Sequence, residues 1–192
     1  MNNFTISAGK PTKLFLGEQE DLAVKIAVSN FCEDIYRVCG GMVEFTTDKE
    51  TADIVIRTAT KQSKEEYREL LDLQENLIWE AFSIKVQNGK LLISGSQRRG
   101  TIYGIYELSA MWGVSPWHWF ADIPVKKRKV ISLCEGFSKV DYPSVQYRGI
   151  FLNDEEELGF DWTATYTNDK NPSKSRNIER HTHFNYLFFN FY

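Results

Sequence analysis

The chain has 192 residues, 42% of them hydrophobic and 26% charged, and 23 Lys and Arg against 26 Asp and Glu give a formal charge of −3. That is ordinary globular material, enough for one well-filled core and a remnant of a second domain. The slight acidic excess, without a basic stripe, argues against a nucleic acid as partner. No run approaches the length of a membrane span, and Met1-Asn2-Asn3-Phe4 shows no basic segment followed by a long apolar one, so no signal peptide is visible.

Phe4 to Ser7 and Lys13 to Leu16 are short β-prone runs around Gly9-Lys10-Pro11, which predicts a small edge hairpin. From Asp21 to Val38 the residues Leu22, Ile26, Ser29, Cys32, Ile35, Tyr36 and Cys39 fall near helical spacing, with Gly40-Gly41 as the stop. Strands are expected over Val43 to Thr46 and Ile54 to Ile56. Ser63-Lys64-Glu65-Glu66 has the capping-box pattern and opens a second helix over Tyr67, Leu70 and Leu71. Trp79 to Val86 and Lys90 to Ser94 flank Asn88-Gly89, a dipeptide that tolerates positive φ at both turn positions and so predicts a two-residue hairpin. Arg98-Arg99-Gly100-Thr101 leads into an amphipathic helix through Ile102, Ile105, Leu108 and Met111 or Trp112, closed by Gly113. After Pro124 and the basic run Lys126-Lys127-Arg128-Lys129, a last strand runs from Val130 to Leu133. The domain boundary falls between Val130 and Tyr142.

Cys32, Cys39 and Cys134 are odd in number and form no Cys-x-x-Cys pair, which points away from a disulfide framework or a zinc cluster. Cys32 and Cys39 lie two helical turns apart, too far to bridge, and are expected as small core residues. Aromatic residues make up 14% of the chain. They suit a core first and sugar-stacking surfaces second.

Tyr147-Arg148-Gly149-Ile150-Phe151-Leu152-Asn153-Asp154-Glu155 reads as an apolar strand that ends abruptly in amide and carboxylate groups. Barrel enzymes present their reacting groups at such strand ends. Yet only 38 residues follow Asp154 (192 − 154), whereas a whole barrel needs about 200 or more. The carboxylates Asp154, Glu155, Glu156 and Glu157 raise one another's pKa by like-charge proximity, and alternation lets at most two of them share a site. A second constellation joins Arg98 and Arg99 at a helix start to Trp117, His118 and Trp119. Two arginines there oppose the macrodipole; they either grip a substrate carboxylate or phosphate or pair with acids of the protein itself. Trp117 and Trp119 either stack on sugar rings or pack between domains, and His118 is a candidate acid or base. His181 and His183 share one side of any strand, but no completing ligand set lies nearby, so no metal and no cofactor is expected.

The segments Trp79-Glu80-Ala81-Phe82, Leu92-Ile93-Ser94-Gly95-Ser96, Arg99-Gly100-Thr101-Ile102-Tyr103-Gly104-Ile105-Tyr106-Glu107-Leu108-Ser109, Gly113-Val114-Ser115-Pro116-Trp117, Ala121-Asp122-Ile123-Pro124 and Arg148 to Glu155 closely resemble glycoside hydrolase family 115 in order and spacing, over about residues 4 to 170. The resemblance implies an α/β fold in which a mixed β-sheet packed with helices forms an N-terminal domain, residues 1–141. Residues 142–192 would then hold the first strand of an incomplete (β/α)8 barrel. It also implies an α-glucuronidase-like glycoside hydrolase that removes glucuronic acid or its 4-O-methyl form from xylan, with a plant cell-wall polysaccharide or acidic oligosaccharide as partner. The full-length family is secreted or periplasmic. Asn153 and Asp154 would line the substrate pocket, with Arg99 and Trp117 approaching it from the side. At Ala110-Met111-Trp112 the family's Glu-Gln and apolar pattern is absent, so no acidic role carries over to position 110.

The chain departs from the family after the first barrel strand, where Asn171 to Arg176 runs into the aromatic tail His183 to Tyr192. This pattern predicts a premature stop after a frame change near Lys174, and a fragment that is catalytically inactive on its own. The alternative is a non-catalytic carbohydrate-binding or protein-interaction module. An exposed barrel remnant around Phe151 and Leu152 would favour a homodimer.

Overall fold

Strand residues that must bury one face and those that must bury two sort themselves across a six-stranded sheet. The computed structural model describes residues 3–17, 19–59 and 79–148. The elements are β1 (Phe4–Ser7), β2 (Thr12–Leu16), α1 (Leu22–Cys39), β3 (Val43–Thr46), a 3-10 turn (Lys49–Thr51), β4 (Ile54–Thr58), β5 (Phe82–Gln87), β6 (Lys90–Gly95), α2 (Arg98–Trp112), α3 (His118–Ala121), β7 (Val130–Leu133) and β8 (Ser138–Asp141). Six strands form a mixed sheet in the order β3-β2-β4-β6-β5-β8. Strands β2, β3, β4 and β6 run parallel, and β5 pairs antiparallel with β6 and β8. This is the α/β architecture that the resemblance implies. Ile54, Val55 and Ile56 of β4 are all buried, as an unbroken apolar run requires in a strand covered on both faces.

Helix α1 begins where Asp21 Oδ1 accepts from the Ala23 amide at 2.9 Å, and it ends at Gly40, whose φ of 69° suits glycine. Helix α2 packs on β4, β5 and β6 and against α1. Between the helices, Phe31 stacks on Trp112 with ring centroids 5.3 Å apart. Buried Asn30 donates from Nδ2 to the Tyr106 hydroxyl at 2.8 Å. A buried amide needs such a partner, and this one ties α1 to α2.

The Asn88-Gly89 turn has φ of 54° and 73° and joins β5 to β6 as expected. Glu135 clamps it, its two carboxylate oxygens accepting from the Asn88 and Gly89 amides at 2.8 and 2.9 Å.

Three expectations are corrected. Phe4–Ser7 and Lys13–Leu16 do not form a hairpin: β1 pairs antiparallel with β7 in a separate two-stranded sheet. The register Phe4↔Leu133 and Ile6↔Ile131 puts four buried apolar residues opposite one another, a pairing that the local pattern does not favour over a hairpin. In α1 the buried face carries Val24, Ala27, Val28, Phe31, Ile35 and Val38, whereas Leu22 is 71% and Tyr36 64% exposed. Apolar residues lie on nearly every side of this helix, so spacing alone admits more than one phase, and the Phe31–Trp112 contact selects the observed one. Cys39 is buried, but Cys32 is only partly so, and Cys134 is exposed.

Strand β8 and the short α3 carry no strong sequence signal. The helix expected after Ser63 lies outside the described residues, as do Gly149 to Glu155 of the apolar strand; Tyr147 and Arg148 are not in a strand. Met1–Val114 and Val125–Ser144 form one compact unit, and Ser115–Pro124 with Val145–Tyr192 a second.

Candidate functional site

The C-terminal ends of parallel strands are where open α/β sheets bind ligands, most often where successive crossovers diverge. Here that place lies between β2 and β4, because β2 continues through α1 to β3 on one side while β4 lies on the other. Glu20, in the loop after β2, fills it from within. Its Oε1 accepts from the Thr58 amide at 2.9 Å and its Oε2 from the Thr58 hydroxyl at 2.8 Å. Thr58 and Thr101 place their hydroxyl oxygens 2.8 Å apart, and Thr101 Oγ1 is also 3.2 Å from Gln97 O. Because the Thr58 proton goes to the carboxylate, the single Thr101 proton serves either Thr58 or Gln97. An internal carboxylate thus sits close to the start of α2, the position that favours anions.

Both arginines at that helix start are held by acids of the same unit. Arg98 Nη1 lies 3.2 Å from Asp21 Oδ2. The Asp21 carboxyl is held below its ordinary value first by the Ala23 amide and then by Arg98. Arg99 Nε lies 2.9 Å from Glu80 Oε1, an ion pair by distance but without hydrogen-bond alignment. Its Nε and Nη2 also reach the Tyr103 hydroxyl at 3.2 and 2.7 Å. Glu80 is 1% exposed and adopts φ of 53°, a left-handed conformation uncommon outside glycine.

Two glycines make this arrangement possible. A Cβ at Gly95 would lie 2.0 Å from the Thr101 amide nitrogen, and one at Gly100 would lie 2.2 Å from Ala81 O and 3.1 Å from Glu80 C. Their absence lets the first turn of α2 settle directly on the end of β6 and on the Glu80-Ala81 backbone. The Ser96 hydroxyl is buried nearby and has no hydrogen-bond partner among the described residues.

Of the residues singled out from sequence, Arg99 therefore belongs to a network with Glu80 and Tyr103. Trp117 lies in the second unit, 42% exposed, at the start of α3. In the same unit His118 Nδ1 is 2.7 Å from Ile123 O. Asn153, Asp154, His181 and His183 lie outside the described residues. The residues that sequence reasoning passed over are Glu20, Thr58, Glu80 and Tyr103. Glu80 and Tyr103 stand inside the family-like segments, but only the fold shows that they meet Arg99.

No family model matches the chain, and no curated protein matches it. Among solved structures it is similar to BtGH115A, a family GH115 4-O-methyl-α-glucuronidase with specificity for decorated arabinogalactans. That match has a TM-score of 0.74 at 31% identity and covers 96% of this chain and 24% of that one. It is also similar in fold to CpGH84D, with a TM-score of 0.50 at 15% identity over 76% of this chain and 22% of that one. The chain thus spans about a quarter of the length of either protein.

Proposed function

Taking the chain as the GH115-like N-terminal portion of a glucuronidase-like glycoside hydrolase, we propose that it serves an enzyme that releases glucuronic acid, or its 4-O-methyl form, from a branched plant polysaccharide. The observation that carries this reading is a likeness that extends over 96% of the chain at 31% identity. On this reading residues 1–141 are the N-terminal α/β domain and residues 142–192 begin a barrel. Asn153 and Asp154 line the substrate pocket, and Trp117 offers a ring face to a sugar. Arg99, whose guanidinium is held by Glu80 and Tyr103, approaches the substrate from the side.

We further propose that the 192-residue chain alone does not hydrolyse its substrate. Retaining and inverting glycosidases need two carboxylates placed across the scissile bond. Among the described residues of the α/β unit, three carboxylates near the strand ends are engaged structurally: Glu20 with Thr58, Asp21 with Ala23 and Arg98, Glu80 with Arg99. The test is incubation of the purified chain with glucuronoxylan and with glucuronate-decorated arabinogalactan. No release of the free uronic acid is expected, and release above the protein-free blank overturns the claim.

The exposure of Trp117 favours a second reading, a non-catalytic carbohydrate-binding or protein-interaction module. Saturable polysaccharide binding by the wild-type chain that Trp117→Ala abolishes would support it. Association through Phe151 and Leu152 would make such a module a homodimer, detectable by sedimentation.

A further inference from the structure

We propose that the run Lys126-Lys127-Arg128-Lys129 is a docking strip for a carboxylate-bearing polysaccharide, on the α/β unit at the opposite end of the sheet from the Glu20–Thr58 network. The choice of a polysaccharide rests on the glucuronidase-like reading above; the choice of an anion rests on the strip itself.

All four cations are exposed, and the backbone beneath them is anchored. The Lys126 amide donates to Gly113 O at 3.2 Å, at the cap of α2. The Arg128 amide donates to Val38 O at 2.8 Å, in the last turn of α1. The strip therefore crosses the C-terminal ends of both long helices, where the peptide dipoles favour positive charge. Lys127 serves that purpose, its Nζ donating to Arg37 O at 2.6 Å. Lys126, Arg128 and Lys129 make no such side-chain hydrogen bond among the described residues. Among the described residues none of the three makes an ion pair with a carboxylate.

Three cations without a carboxylate partner among the described residues, on an anchored backbone in a chain whose net charge is −3, form a local surplus of positive charge. No aromatic residue interleaves them, so bases have nothing to stack on, and the overall negative charge opposes a polymer with a charge on every residue. A sparsely charged uronate polymer meets neither obstacle.

Affinity gel electrophoresis of the whole chain tests the proposal, with retardation measured against polymer-free gels so that charge differences between variants cancel. The gels hold glucuronoxylan, the same polymer after carboxyl reduction, or dextran sulfate. Retardation is expected in glucuronoxylan and not in its reduced form, and it should disappear as salt shortens the screening length. The triple variant Lys126→Gln, Arg128→Gln, Lys129→Gln should bind about tenfold more weakly, the scale of three exposed charge contacts. Lys126→Arg with Lys129→Arg should retain binding. Equal retardation in the reduced polymer, or an unweakened triple variant with a wild-type unfolding midpoint, overturns the strip. So does retardation in dextran sulfate alone. Absence of retardation in every gel also overturns it, while leaving the glucuronidase-like reading to its own hydrolysis test. The reduced-polymer and salt arms use the wild-type chain, so a variant that fails to fold does not protect the proposal.

Discussion

Replacing Gly100 by alanine sets two effects of known sign against each other. Gly100 lies in the first turn of α2, and alanine in place of glycine within a helix is ordinarily worth about 1 kcal/mol of stability. Against this, the new Cβ would stand 2.2 Å from Ala81 O, and real Cβ contacts stay above 3.0 Å. At least 0.8 Å of movement is needed (3.0 − 2.2), and the obstructing atoms are backbone, not the far end of a side chain. Overpacking a close contact costs about 3 kcal/mol when the surroundings cannot give. The ion pair of Arg99 with Glu80 is tied to the same backbone and must shift with it.

The net expectation is a loss of about 2 kcal/mol, or about 6 °C in the unfolding midpoint for a domain of this size. Urea and thermal unfolding followed by circular dichroism measure it, with Gly17→Ala as the control. At Gly17 the nearest atom to a new Cβ is Glu20 Cγ at 3.6 Å, an ordinary contact, so that variant should stay within about 0.5 kcal/mol of wild type. A Gly100→Ala chain as stable as wild type at an unchanged denaturant slope would refute the close-approach argument.

Tyr106→Phe removes the oxygen that accepts from buried Asn30 and should cost about 2 kcal/mol in urea unfolding, the scale of a stranded buried donor. Asp21→Asn should weaken the Arg98 pair and flatten the acid limb of the stability profile. The folded-state pKa of Asp21 is depressed, so its stabilisation is present above the ordinary value of 3.8 and is lost as pH falls through the folded value. A variant with the same acid limb as wild type would disprove that assignment. Burial pushes the Cys32 thiol up to about 11 from 9.0. Iodoacetamide at pH 8.5 should therefore label exposed Cys134 well before Cys32, as peptide mass mapping would show. The same upward shift means that the fold loses stability as pH rises from 9 toward 11, where the Cys32 thiol ionises in the unfolded chain before it does in the fold.

Short-range chemistry was the legible part of this chain. Asp21 before an apolar run, Gly40 and Gly113 after one, and Asn88-Gly89 between two strands each act through their own backbone, so each can be read where it stands. The partner of β1 lies more than a hundred residues away and could not be read from a four-residue alternation. The phase of α1 failed for a related reason. Its inner face is chosen by Trp112 and Tyr106 on another helix, not by its own spacing. At the strand ends, the pairing of Arg98 and Arg99 with acids of the protein was one of two stated options, but its members, Asp21 and Glu80, are brought in by the fold. Glu20 gave no signal because a lone acid in a polar loop looks like solvent-facing charge until Thr58 is placed beside it.

The pairing of β1 with β7 and of β5 with β8 also bears on how the chain is made. The first strand to leave a ribosome cannot find its partner until Val130 to Leu133 has been synthesised, and the outer edge of β5 stays open until Ser138 to Asp141 follows. Domains fold as units during synthesis. A nascent chain released before Val130 would therefore carry two unmatched strand edges, and one released between Leu133 and Ser138 would carry one, each a template for pairing with another molecule.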